Sequence, residues 1–206
     1  MPVLSGVSFD VTAGFALILR GPNGVGKTTL LRTLAGFISP VSGGATLDGA
    51  DLSARDEFQE NIAYTAHADG IKAQFSVREN ISFWAGIHGG GDVDAALAAF
   101  DLLPLADRLV GSCSAGQRRR TGLARLLVAN RGLWLMDEPT VSLDAEARGA
   151  LGVALSAHLG NGGLALVATH DADLIPEART LNLAPLVNGA GRGRSGDDAF
   201  LAEGFG

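Results

Sequence analysis

Four scarcities bound this 206-residue chain before any motif is read. Cysteine occurs once, at Cys113, so no internal disulfide can form, and a reducing compartment is the expectation. Charged residues are 18% against an ordinary ~25%, and their balance of −6 argues against a dedicated DNA or RNA binder, whose footprint is a basic surface; no nucleic-acid partner is expected, with a local basic patch left open. Long apolar runs are missing as well: none reaches the ~18 residues a membrane span needs. The first basic residue is Arg20, which leaves no basic n-region for secretion, and a protein that stays soluble inside the cell is expected. Lysine occurs only at Lys27 and Lys72, so each stands out against a background of arginine.

Apolar residues are plentiful at 47%, enough for one sizeable core, and the length leaves no room for two large domains at ~150 residues each. Phe15–Arg20 (FALILR) reads as a strand, followed at once by a glycine loop and by leucines at helical spacing. Gly43, Gly44 and Gly49 around Thr46–Leu47 predict a short hairpin, an antiparallel flap. Ser76–Leu109 turns helical, broken at His88–Gly91 and Pro104, and reads as a small helical insert. Helical spacing returns in Arg118–Ala129, then Leu133–Met136 reads as a buried strand, Ala145–Leu159 as a helix closed by Gly160, and Leu164–Thr169 as another buried strand. Strands that are continuous apolar runs alternating with helices predict an α/β fold with a mostly parallel sheet covered on both faces. Residues 1–187 are expected to form one nucleotide-binding domain, its helical part about 76–125, with 188–206 a glycine- and charge-rich tail.

Gly21-Pro22-Asn23-Gly24-Val25-Gly26-Lys27-Thr28 satisfies G-x-x-x-x-G-K-[ST] between a predicted strand and a predicted helix. The glycines let successive N–H groups turn inward to cradle phosphate oxygens, and the following helix presents the positive end of its dipole. Lys27 would neutralise the β/γ phosphates and the Thr28 hydroxyl would ligate Mg²⁺, with Thr29 completing the binding segment. Asp137 and Glu138 stand where a buried strand emerges, the edge at which open parallel sheets bind ligands. Asp137 would complete the Mg²⁺ shell and Glu138 would polarise the attacking water.

Three further segments carry a resemblance. Cys113–Arg120 (CSAGQRRR) looks like the signature motif of ABC-type ATPases, Ser142-Leu143-Asp144 like their D-loop, and Ala168–Asp171 (ATHD) like their switch-histidine loop. With the phosphate loop they follow the family's order from Gly21 to Asp171, and the chain is identified as a member of that P-loop family. The resemblance implies ATP and Mg²⁺ as ligands. It also implies a head-to-tail pair in which Ser114, Ala115, Gly116 and Gln117 of one copy face the γ-phosphate held by the other. Physically, Ser114 opens a helix whose hydroxyl and N–H groups form an anion site, and Asp144 can cap its own helix while touching the opposite subunit. His170 can reach the γ-phosphate and hold the water and Glu138 in line. Cys113 is read as a small buried hydrophobe. Arg118, Arg119 and Arg120 sit where the dipole disfavours cations; phosphate, the partner subunit or plain solvation is left open for them.

Two departures from the family pattern stand out. His67 occupies the place of the glutamine that couples to the membrane subunits, and its imidazole would make coupling sensitive between about pH 5 and 8. Only Met1–Ala13 precede the strand leading into the phosphate loop, and Phe9 reads as a core residue of a strand Val7–Val11, so either adenine is held differently here or the true start lies upstream; the second is preferred. Among ABC ATPases, the segments around His67 (AHADGIKAQFSVRENISFW) and Ser114–Pro139 resemble the haem-export ATP-binding subunits of bacterial cytochrome c maturation. That implies ATP hydrolysis driving haem export or haem-chaperone release, with integral membrane partners, at the cytoplasmic face of the inner membrane. An ABC ATPase for another exported substrate and, more remotely, a non-transport ABC protein remain the alternatives. His67 and His88 lack the pairing expected of axial haem ligands.

Overall fold

The computed structural model describes residues 3–66, 70–171 and 174–186. In chain order they form β1 (Ala16–Arg20), α1 (Lys27–Leu34), β2 (Thr46–Leu47), β3 (Ala50–Asp51), α2 (Arg55–Glu60), β4 (Ile62–Thr65), α3 (Val77–Ile87), α4 (Val93–Ala99), α5 (Ala115–Ala129), β5 (Leu133–Asp137), α6 (Ala145–Gly160), β6 (Leu164–Ala168) and β7 (Arg179–Asn182). The main sheet runs β4-β5-β6-β1-β7, and every pairing in it is parallel. The hairpin β2–β3 is antiparallel and turns through Asp48 (φ 50°) and Gly49 (φ 86°), the left-handed pair that matches strand twist in a two-residue turn.

Side chains alternate across the sheet, and the two faces bury two separate cores. Leu17, Leu19, Leu133, Leu135, Leu166 and Ala168 pack under α1, α2 and the hairpin. Trp134, Met136, Ala165 and Val167 pack on the other face against α3–α6. Covered on both sides, the central strands have no reason to alternate polar residues, which is why they read as continuous apolar runs.

Four helices start on side-chain caps, α4 through Asp92, which accepts from the Ala95 N–H. Ser76 and Glu79 form a reciprocal box at α3, Ser114 and Gln117 form another at α5, and Asp144 accepts from the Ala147 N–H at α6. Asn130, in the left-handed region at φ 47°, ends α5.

Some expectations shift. β1 begins at Ala16 instead of Phe15, which is exposed, and β6 ends at Ala168. Val7–Val11 joins no ladder: Val7, Phe9 and Val11 alternate with exposed neighbours and lean on the hairpin-side core as an extended segment only. β4, β7 and α2 were not anticipated from the sequence. His67 and the 188–206 segment lie outside the described residues.

Candidate functional site

The sheet order makes the site. β5, β6 and β1 are neighbours, with Asp137 opposite Ala168 and Ala168 opposite Leu19, so the loops leaving their carboxyl ends emerge side by side. The loop after β1 wraps at Gly21 (φ 140°), Gly24 (φ 80°) and Gly26 (φ 112°), all in conformations that side chains resist. At Gly26 a Cβ would also lie 2.8 Å from Leu4 Cγ. Gly26 is the N-cap of α1 and has no side chain to occupy the first-turn N–H groups, which leaves them as donors at the positive helix end. Lys27 is buried, and its ammonium donates to the Gly21 carbonyl at 2.8 Å and more weakly to that of Pro22 at 3.4 Å. Thr28 and Thr29 follow in the same turn, partly exposed.

Across from this loop, His170 Nε2 stands 3.3 Å from Asn23 Oδ1 and 3.4 Å from Glu138 Oε1. One imidazole therefore touches the phosphate loop, the β5 exit and the β6 exit at once. Glu138 itself sits at φ 49°, a left-handed conformation that costs a non-glycine residue on the order of 1–3 kcal/mol. Its N–H donates to the Ala168 carbonyl at 2.8 Å, which ties the strained residue to the neighbouring strand. A cavity of about 340 Å³ opens beside these groups, lined by Arg20, Gly21, Pro22, Thr169 and His170.

The CSAGQ segment opens α5. The Ser114 hydroxyl accepts from the Gln117 N–H at 3.2 Å, and Gln117 Oε1 accepts from the Ser114 N–H at 2.9 Å. This uses two of the terminal groups and leaves the N–H groups of Ala115 and Gly116 without an acceptor inside the helix. A Cβ on Gly116 would come 3.2 Å from the Ser142 carbonyl, so the helix tip packs closely on the segment that leads to Asp144. Cys113 is buried as expected.

Comparison with known proteins decides the family. The ABC transporter family profile matches residues 4–141. The chain is 51% identical over 202 residues, 98% of its length, to 93% of the cytochrome c biogenesis ATP-binding export protein CcmA of Roseobacter denitrificans. It is 54% identical over 185 residues, 90% of its length, to 82% of the protein of the same name from Rhodobacter capsulatus. This chain belongs to the ABC transporter family of ATP-binding proteins. It is an ABC ATPase, the ATP-binding and ATP-hydrolysing subunit of a transporter. Solved structures agree at the level of fold. The chain matches cbiO1 of Clostridium perfringens, part of the complex cbiONQ, with a TM-score of 0.72 at 24% identity (87% of this chain, 77% of that one). It matches the ATP-binding cassette MJ0796, in a dimeric post-hydrolysis state with ADP and phosphate, with a TM-score of 0.74 at 22% identity (87% and 85%). Among the described residues of this ABC ATPase no helix is long and apolar enough to cross a membrane.

The arginine run of the ABC ATPase is where sequence reasoning left most open. Of the three, Arg118 stays exposed while donating to the Cys113 carbonyl at 2.6 Å, and half-buried Arg120 donates to that of Phe100 at 3.3 Å beside Asp101. Arg119 is 5% exposed, and its fork spans three carbonyls: Ala66 at 2.7 Å, Glu138 at 3.0 Å and Pro139 at 3.3 Å. The signal for it in the sequence is a cation near a helix N-terminus, which needs compensation, here supplied by the backbone dipoles of two loops. Arg125, one and a half turns on, donates to the Tyr64 carbonyl at 2.7 Å and stacks on Trp84, so α5 also holds the end of β4 and the flank of α3.

Proposed function

We propose that two copies of this chain close head to tail around two ATP molecules and drive an export step of cytochrome c biogenesis. The reading rests first on one juxtaposition: Glu138, His170 and the Gly21–Thr28 loop meet within hydrogen-bonding reach. In this reading the loop N–H groups and Lys27 hold the β/γ phosphates, and Lys27 exchanges its carbonyl partners for phosphate oxygens. The Thr28 hydroxyl and the Asp137 carboxylate are the protein oxygens for Mg²⁺, a sparse donor set of the kind this ion accepts beside substrate phosphates and water. Mg²⁺ there would neutralise charge developing on the transferred phosphoryl group. Glu138 takes the proton-accepting role toward the attacking water, and His170 holds the carboxylate and the γ-phosphate in line. Ser114, Ala115, Gly116 and Gln117 of the opposite copy complete the pocket with a hydroxyl and helix-end N–H groups. Asp144, which already caps α6, brings that copy's D-loop against the first.

The cargo side is supported by the names of the relatives, cytochrome c biogenesis ATP-binding export proteins matched over most of their length. On that basis the chain works at the cytoplasmic face of the inner membrane with integral membrane subunits, and its turnover drives haem export or release of haem to its chaperone. His67 is the coupling residue in this reading: His67→Ala should leave ATP turnover running while transport stops, measured on the reconstituted complex. Deleting the gene and staining for covalently bound haem tests the whole. Loss of c-type cytochromes is expected; c-type cytochromes left intact would assign the ATPase to another exported substrate.

A further inference from the structure

α5 touches the catalytic edge twice on one face. Gly116 and Arg119 are three residues apart, so they project from the same side of the helix. Gly116 packs on the Ser142 carbonyl, and the Arg119 guanidinium holds the carbonyls of Glu138 and Pro139 together with that of Ala66, the last described residue before position 67. The segment 138–142 contains two left-handed non-glycine residues, Glu138 (φ 49°) and Ser142 (φ 66°), each of which persists only while its surroundings hold it there. Arg119 and the tip of α5 supply part of those surroundings, beside the Ala168 carbonyl that accepts from the Glu138 N–H. A guanidinium suits the task because its rigid planar fork can meet several acceptors at fixed angles, whereas an ammonium or an amide cannot span three carbonyls on two loops.

We infer that Arg119 is a positioning residue that couples the two nucleotide sites of the ATP-bound pair: the helix that contacts the partner's ATP through Ser114 also holds, through Arg119, the backbone of the Glu138 that works on the chain's own ATP. This rests on the head-to-tail reading above. Arg119 stands five positions after Ser114 along one rigid helix, so a shift of the helix tip on engaging phosphate is passed to the Glu138 and Pro139 carbonyls. Carboxylate alignment with His170 in one site then depends on occupancy of the other. Without the fork, Glu138 relaxes from its strained conformation, the 3.4 Å contact to His170 opens, and each site turns over alone.

The test is steady-state ATP hydrolysis by the full-length chain with its native membrane partners, read as kcat and as the Hill coefficient for ATP, with nucleotide affinity measured separately by a fluorescent ATP analogue. The wild type should give a coefficient well above 1, toward the limit of 2 set by two sites. In Arg119→Gln the coefficient should fall to about 1 and kcat by about tenfold or more, with affinity for the analogue little changed. Arg119→Lys keeps the charge and guards against a folding failure; it should regain part of kcat while its coefficient stays low. Arg120→Gln, altered on the same helix at a side chain that contacts Phe100 and Asp101 instead of the catalytic edge, should match the wild type in both. Wild-type cooperativity in a folded Arg119→Gln or Arg119→Lys would overturn the inference, and so would parallel loss of kcat and nucleotide affinity. A wild-type coefficient of 1, together with no ATP-dependent dimer of Glu138→Gln, would instead bring down the head-to-tail reading on which this rests.

Discussion

Glu138 carries the sharpest expectation at the scale of single residues, because its backbone strain and its contact with His170 serve the same chemistry. Glu138→Gln keeps the shape and removes the proton acceptor, so turnover should drop at least about a hundredfold while ATP is still bound; a phosphate-release assay beside equilibrium binding reads both. His158 offers a second test. It stacks on Trp134 at 4.0 Å and its Nε2 faces the Leu164 carbonyl at 3.0 Å. Burial holds its pKa below the ordinary value, while the carbonyls of Leu164 and Gly132 work the other way. The neutral ring is thus favoured in the fold, and its contribution is complete above the unfolded value of ~6.5 and is lost as pH falls through that value toward the lower folded one. Tm should therefore be lower at about pH 5.5 than at about pH 7.5, and His158→Gln should shrink the difference; an undiminished difference would assign the effect elsewhere. Half-buried His88 is displaced in the same direction, by partial burial first and then by Arg131 and Arg125. Residues such as Lys27, Glu138 and His170 were legible because each belongs to a short motif whose chemistry is local. For Arg119 the need for compensation was legible but its partners were not, since its acceptors come from two loops far apart in the chain.

At the scale of elements, caps and buried strands carried the legibility. Ser76 illustrates the first: its hydroxyl accepts from the Glu79 N–H at 3.1 Å, and Glu79 Oε2 accepts from the Ser76 N–H at 2.7 Å. Ser76→Ala should cost about 1 kcal/mol, seen as a lower denaturant midpoint with an unchanged slope, since only the cap of α3 is lost. β5 and β6 were read correctly because both faces are buried. β7 was missed because it is an edge strand with only Leu181 buried, and β4 because four residues behind a short helix hold no period to read. Val7–Val11 misled in the opposite sense: it alternates like a strand, but an exposed-and-half-buried pattern records only that one side leans on a core, and says nothing of whether a neighbouring backbone is there to pair.

For the whole molecule the expected behaviour is association on ATP. Glu138→Gln should run as a dimer with MgATP and as a monomer without it in light scattering, whereas adding Lys27→Ala should abolish the dimer by removing the phosphate contact. A dimer equally stable without nucleotide would point to a different interface. The sequence by itself determined where the glycine loop, the carboxylate pair and the helix caps fall, because those depend on residue type at fixed short spacing, and it determined the α/β class through buried apolar runs. Only the tertiary structure decided which strands are neighbours, and with that which loops share an edge. It alone brought Arg119 to Ala66, Glu138 and Pro139, because contacts between distant segments follow from sheet order and helix packing, which no local pattern of residues records.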